Sequence, residues 1–174
     1  MGVTGIDLKK LSLRDALDLA MLIEEEARDR YTELAEQLTL HHTPEAAAFF
    51  DRMASIEHLH REKLAERRVA MFGRQASTVS RSMVFDVEAP EYDEARAFMT
   101  VRQALNTALR SETKAHDFFV EALQAVTDPA VVMLFNELRE EEVHHQSLVR
   151  SEIAKLPPDA ENDPNDTADD PVAH

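Results

Sequence analysis

Residues 138–148 read LREEEVHHQSL, and the pattern that runs through this stretch decides the fold. Apolar residues recur around it at alternating steps of four and three, at Val131, Phe135, Leu138 and Val149. This spacing predicts a helix that buries one face in a helical bundle. The same face carries Glu142 and His145. Glu141 and His144 have the same mutual spacing and remain the alternative, but they face inward only after a rotation of about 100°.

A second copy of the pattern lies 85 residues earlier in the chain. There Glu57 and His60 interrupt a line of otherwise apolar residues, namely Ala46, Phe50, Met53 and Leu64. Each copy begins with a residue suited to capping, followed by a proline, at Thr43-Pro44 and at Asp128-Pro129. A cap followed by proline is typical of the first turn of a helix. The two segments are therefore predicted to be related helices.

Two further segments form a second related pair, with an offset of 88 residues. The first line contains Leu13, Leu17, Ala20, Glu24, Ala27, Tyr31, Leu34 and Leu38. The second contains Val101, Leu105, Ala108, Glu112, Ala115, Phe119, Ala122 and Val126. Each line has one charged position, Glu24 or Glu112, at equivalent places.

The internal repeat predicts an all-α fold, an antiparallel four-helix bundle built from two αα-hairpins. The hairpin turns are short, whereas residues 74–93 form a long connection that can cross the length of the bundle. We expect the folded domain to span residues 8–156. Residues 157–174 contain six acidic residues, four prolines and no lysine or arginine, and are predicted to form a disordered tail.

Composition excludes several functional classes. The formal net charge of −15 argues against nucleic acid and anionic membranes as partners. The longest apolar run is far shorter than a transmembrane helix, and the N-terminus lacks the apolar segment of a signal peptide. A cytoplasmic location is therefore expected. The absence of cysteine excludes disulfides, iron–sulfur clusters and thiolate-bound zinc.

Six charged or metal-binding side chains are predicted to enter the bundle core: Glu24, Glu57, His60, Glu112, Glu142 and His145. Four carboxylates buried together repel one another unless they are neutralised. Two divalent cations balance their four charges, and the imidazoles add neutral donors. One glutamate from each of two helices, with Glu-x-x-His from each of the other two, is the ligand set of carboxylate-bridged di-iron or di-manganese proteins. Mixed oxygen and nitrogen donors suit iron or manganese.

These motifs resemble the ferritin-like superfamily, especially its rubrerythrin and bacterioferritin branches. The segments are EEEARDRY (24–31), EHLH (57–60), SETKAHDFF (111–119) and the Glu-x-x-His of residues 142–145. The resemblance implies a ferritin-like bundle with two iron ions that react with O2 or H2O2. It also implies that Tyr31 hydrogen-bonds a ligand carboxylate on a neighbouring helix, which makes Tyr31 the candidate catalytic residue beside the ligands. Its repeat partner Phe119 is instead consistent with a core aromatic.

The sequence departs from both branches. Rubrerythrins usually carry an extra glutamate where this chain has Ala115. The neighbouring His116 is the alternative substitute, although a surface histidine is the favoured interpretation. Many also have a cysteine-ligated rubredoxin domain, so electrons here would come from a separate protein. Bacterioferritins carry a haem-binding methionine where this chain has His58, so no haem is expected. They also end in a fifth helix where this chain has its acidic tail, which does not support a 24-subunit cage.

The sequence thus predicts a non-haem di-iron protein, a peroxidase or ferroxidase in oxidative-stress defence or iron handling, and we expect a homodimer. Manganese is the alternative metal. Three other functions stay open: iron storage or delivery, oxidation of an organic substrate, and a non-enzymatic bundle whose tail recruits a partner. An organic substrate would require an apolar pocket beside the metals.

Overall fold

A computed structural model of the chain describes residues 3–41, 43–88 and 99–157. Its main elements are four long helices: α1 (Leu13–Leu40), α2 (Pro44–Phe72), α3 (Val101–Leu123) and α4 (Pro129–Lys155). Short 3-10 turns occur at Leu8–Lys10 and Arg81–Met83. The predicted all-α, four-helix architecture is confirmed. No helix in these ranges has the length and apolar character needed to cross a membrane.

The helix ends follow from local hydrogen bonds. The Ser12 side chain accepts from the Asp15 amide at the start of α1, and Asp128 accepts from the Ala130 amide at the start of α4. Gly73 ends α2 with a positive φ of 58°, which a glycine adopts without steric cost. Thr43 was expected to cap α2, but its hydroxyl instead donates to the Leu38 carbonyl at 3.0 Å. Thr100 and Gln103 form a capping box at the start of α3 that sequence reasoning missed.

The helices pair as predicted, α1 with α2 and α3 with α4. Two apolar clusters fill the bundle. One is built around Leu17, Phe119 and Phe135, and the other around Leu34, Phe50 and Leu105. The predicted ligand residues lie between these clusters along the helices, since Glu24 falls between Ile23 of the first and Ala27 of the second. The bundle therefore encloses one charged layer between two apolar ones.

The connection between the hairpins runs back along α1. It begins beside Arg68, whose guanidinium donates to both carboxylate oxygens of Asp18, at 2.8 and 3.1 Å, and to the carbonyls of Gly73 and Gln75. Further along, Arg81 donates to the Leu22 carbonyl at 2.9 Å. This course carries the chain from the end of α2 towards the charged layer. Residues 89–93 of the predicted connection, and residues 158–174 of the predicted tail, lie outside the described residues.

Candidate metal centre

Four glutamates, one from each helix, meet in the charged layer. Glu57 and Glu112 are completely buried, and Glu24 and Glu142 are exposed by 4 % and 2 %. Each lies at the position where the apolar line of its helix is interrupted, so the packing that buries the neighbouring residues also buries the carboxylate. The structure therefore brings together all four glutamates that the helical spacing predicts to face inward.

The two predicted histidines lie face to face across the layer. The rings of His60 and His145 stack with centroids 4.8 Å apart and planes within 5° of parallel. His60 Nδ1 is 3.6 Å from Glu57 Oε2 and 3.8 Å from Glu24 Oε2. The His60 side chain is 14 % exposed and His145 5 %, so His60 lies nearer the solvent.

Glu112 has hydrogen-bonding partners on both of its carboxylate oxygens. The Tyr31 hydroxyl donates to Oε1 at 2.9 Å, and His145 Nδ1 lies 3.0 Å from Oε2. Burial, followed by the charge of Glu112, raises the pKa of Tyr31 well above its ordinary value, so the phenol keeps the proton that it donates. The interaction that the sequence suggested for Tyr31 is thus present between α1 and α3, while a catalytic role for Tyr31 stays a prediction.

The register of α4 selects Glu142 and His145. Both are buried, whereas His144 is exposed and Glu141 only partly buried. Glu112, Glu142 and His145 offer ligand atoms within 4.8 Å of one another, as do Glu57, His60 and His145. Among the described residues, neither Glu141 nor His144 belongs to a group of ligand atoms this close together.

Sequence reasoning missed Glu88. It lies in the connection after α2, is 1 % exposed, and forms a third group of ligand atoms within 4.8 Å with Glu24 and Glu57. The connection has no helical period from which an inward direction could be read. Its apolar residues give no inward direction either, since Val84 and Val87 are buried whereas Phe85 between them is exposed.

Glu26 lies off the apolar line of α1, where the helical spacing predicts a solvated side chain, but it is buried. It is 8 % exposed, and its two carboxylate oxygens accept from the amides of Asp86 and Val87 at 3.0 and 3.5 Å. Backbone N–H groups of a buried loop need acceptors, and Glu26 supplies two. It therefore fixes the connection next to Glu88.

Many carboxylate oxygens in the layer lack a hydrogen-bond donor. Among the described residues, six buried carboxylate oxygens have no such partner: Glu24 Oε2, Glu142 Oε2 and both oxygens of Glu57 and Glu88. Burial, and then the neighbouring carboxylates, raise the pKa of Glu24, Glu88 and Glu142 well above the ordinary value. Burial also raises the pKa of Glu57. Unpaired buried oxygens of this kind fit metal cations, which would replace the missing donors.

Comparison with known proteins identifies the family. The family model described as Rubrerythrin matches residues 15–153. The chain belongs to the rubrerythrin family. The match covers all four helices with their candidate ligands, and it places the chain among ferritin-like proteins of the di-iron type. No curated protein matches the chain.

Two solved structures resemble this rubrerythrin-family chain. An uncharacterized conserved protein from Magnetospirillum magnetotacticum MS-1 is 27 % identical, with a TM-score of 0.65, over 84 % of this chain and 97 % of that one. A hypothetical protein from Pyrococcus furiosus is 22 % identical, with a TM-score of 0.51, over 86 % and 95 % of the two chains, and that likeness bears on the fold alone.

His116 does not take the place of the glutamate that rubrerythrins usually carry at the Ala115 position. Its Nδ1 lies 3.0 Å from Asp117 Oδ1, and it lines an outer depression between α3 and α4 together with exposed His144. Ala115 itself is fully buried. The extra carboxylate near the centre of this rubrerythrin-family protein is Glu88, from a different element.

An apolar pocket adjoins the centre. It has a volume of about 170 Å³ and lies between α2 and α4, lined by Phe49, Arg52, Met53, Ile56, His145, Leu148, Val149 and Glu152. A dry cavity of about 150 Å³ is large enough to hold a benzene molecule. The pocket thus provides room for a small molecule directly beside His145.

Proposed function

We propose that this chain holds two iron ions in the charged layer and reduces H2O2 or O2 with them. The observation that carries the proposal is the set of six buried carboxylate oxygens without donors, facing two stacked imidazoles. Glu24, Glu57 and His60 would hold one ion, and Glu112, Glu142 and His145 the other. Oxygen and nitrogen donors without thiolate suit iron, with manganese as the alternative.

When bound, two ferrous ions would supply two electrons, which together with two protons suffice to reduce one H2O2 to two water molecules. The protein's own side chains position the carboxylates and exclude water. The Tyr31 hydroxyl keeps Glu112 in one position, and the two apolar clusters on either side keep bulk water from the layer. The pocket beside His145 gives a small oxidant a path to the centre.

Regeneration requires two electrons per turnover from outside the chain. The chain has no cysteine and so no thiolate-bound redox centre of its own. We therefore propose a separate electron-donor protein. We also propose that the working assembly is a homodimer in the cytoplasm.

The same pocket favours a second candidate, the oxidation of a small apolar molecule. Its lining includes Phe49, Met53 and Val149 and reaches His145, as such a substrate requires. Product analysis after oxidation with and without a small aromatic compound separates the two functions. A hydroxylated product supports the second, whereas unchanged compound and consumed peroxide support the first.

The test of the main proposal starts from anaerobic protein loaded with Fe(II). We expect about two irons per chain, and addition of H2O2 should oxidise both with one peroxide consumed per pair. Glu57→Ala and His145→Ala should lose most of the bound iron, while Glu140→Ala, at an exposed position of α4, should keep it. Iron content that is the same in all four proteins would overturn the proposal. Native mass measurement then separates a dimer from an iron-storing cage.

A further inference from the structure

We propose that Glu88 is an additional metal ligand, supplied by the connection between the hairpins rather than by a helix. Both of its oxygens are buried and lack a hydrogen-bonding partner among the described residues, and one of them lies within 4.8 Å of an oxygen of Glu24 and an oxygen of Glu57. A glutamate without a partner gains nothing from such burial, because it loses its hydration. The inference rests on the proposed function, since it requires a cation in the layer.

The neighbouring residues hold Glu88 in this position. The two amides before it, those of Asp86 and Val87, donate to the Glu26 carboxylate on α1. The Asp86 side chain pairs with Lys114 on α3, and Val87 is buried in the apolar cluster around Leu17. The segment is thus attached to α1 and to α3 directly before Glu88. These contacts orient a side chain that makes no hydrogen bond of its own.

The backbone at Asp86 adopts a specific conformation that directs the chain towards the layer. Its φ is +53°, in the left-handed region that few residues other than glycine adopt, although aspartate is among those that tolerate it. The Asp86–Lys114 ion pair and the hydrogen bond that the Asp86 amide donates to the Glu26 carboxylate both stabilise this turn. The turn leads the chain from the surface of α1 into the layer within two residues.

Glu88 changes the charge of the centre. With it the layer contains five buried carboxylates, Glu24, Glu57, Glu88, Glu112 and Glu142. Five ionised carboxylates carry one negative charge more than two divalent ions neutralise. Two trivalent ions carry one positive charge more than the five carboxylates neutralise. A fifth carboxylate therefore favours the oxidised pair and lowers its reduction potential relative to a site with four. It also makes the position near Glu24 and Glu57 the more negative of the two.

The test compares metal binding with the stability of the metal-free protein. Mn(II) titration of chelator-treated protein should show two sites in the wild type. Glu88→Gln and Glu88→Asp should each weaken one site by roughly tenfold or more, the aspartate because its shorter chain withdraws the oxygens. Glu140→Gln, on the exposed face of α4, is the matched control and should bind as the wild type does.

The metal-free protein should respond in the opposite direction. Glu88→Gln removes an unpaired buried carboxylate, so the melting temperature of the metal-free variant should equal or exceed that of the wild type. A residue that only packs the connection against the bundle would lower stability in both states. The sign of the two changes therefore separates a ligand from a structural residue.

Three results decide the matter. Weaker binding at one site with undiminished metal-free stability supports the assignment of Glu88. Wild-type binding in both Glu88 variants overturns it and leaves the proposed function standing. Absence of Mn(II) and Fe(II) binding in the wild type itself overturns both proposals.

Discussion

The two halves of the bundle have the same ligand pattern but different surroundings. In the α1–α2 half, Glu24 and Glu57 face a further carboxylate, Glu88. Five of the six carboxylate oxygens of these three residues are buried without a hydrogen-bond partner among the described residues. In the α3–α4 half, Glu112 interacts with Tyr31 and His145. The first half is thus rich in buried carboxyl groups without partners. In the second half hydrogen bonds hold Glu112, and one carboxylate oxygen, Glu142 Oε2, is buried without a partner among the described residues.

Non-repeated residues create this difference. Tyr31 corresponds to Phe119 at the offset of 88, so only the first copy supplies a hydroxyl, and it reaches the second half's glutamate. Glu88 lies in the connection, outside the repeat. A duplicated motif can thus provide two similar sets of candidate ligands, while single residues between and beside the copies make the two sets unequal.

The largest effect on stability is expected from the ion pair that only the first half has. Asp18 and Arg68 correspond to Asn106 and Ile153 in the second half. Arg68→Met leaves Asp18 buried without its partner and also frees the Gly73 and Gln75 carbonyls. Urea unfolding should show a loss of free energy roughly three times or more that of Arg67→Met. Arg67 pairs with Glu137 at the surface and is the control; equal losses would contradict this account.

The metal-free protein should become less stable as pH rises. The folded-state pKa of Glu24, Glu57, Glu88 and Glu142 lies above the value of 4.5 of a free side chain, so the folded state binds more protons. His60 acts in the other direction, because burial lowers its pKa from 6.5 to about 4. Its contribution to folding stability is therefore fully present above pH 6.5 and is lost as the pH falls towards 4.

Between pH 8 and 6.5 the carboxyl groups therefore determine how stability changes with pH. The melting temperature of the metal-free protein, measured with a chelator present, should rise as the pH is lowered. Scanning calorimetry over this range measures it. Glu57→Gln should flatten the slope, and Glu140→Gln should leave it unchanged. A melting temperature that falls steadily from pH 8 to 6.5 would show that the buried layer does not retain protons.

Tyr31→Phe should affect only the half that contains Glu112. Loss of the 2.9 Å hydrogen bond leaves one oxygen of Glu112 without its donor, and we expect about tenfold weaker Mn(II) binding at one site. The other site serves as the internal control. Combined with Glu88→Gln, the two losses should fall on different sites. Equal weakening of both sites by Tyr31→Phe would mean that the halves are not independent.

The smallest expected effect concerns access to the centre. Ile56→Trp fills part of the pocket beside His145 and should slow oxidation of Fe(II) by H2O2 severalfold without changing iron content. Leu59→Trp, three residues further along α2 at an exposed position, should oxidise at the wild-type rate. Stopped-flow absorbance measures both. Equal rates in the two variants would exclude this pocket as the path of the oxidant.

Helical spacing predicted most of the fold and the six helical positions at the centre. Glu57, His60, Glu142 and His145 were found because a helix that buries every third or fourth residue must bury what stands there. The repeat selected the same residues independently. Their roles as metal ligands remain predictions that the structure makes testable.

Residues whose burial depends on irregular backbone could not be predicted in this way. Glu26 lies two residues after Glu24 and off the apolar line of α1, yet the connection covers it. Glu88 enters the layer through a turn at Asp86 with positive φ. No periodic pattern encodes where such a segment packs, so its direction follows only from tertiary contacts.

Anomalous X-ray diffraction from crystals of the iron-loaded protein tests the central claim most directly. We expect two iron peaks per chain inside the layer bounded by Glu24, Glu57, Glu112 and Glu142, with Glu88 directed at the ion nearer Glu24. Crystals loaded in the same way that show no iron in this layer, or iron only at surface carboxylates, would contradict it.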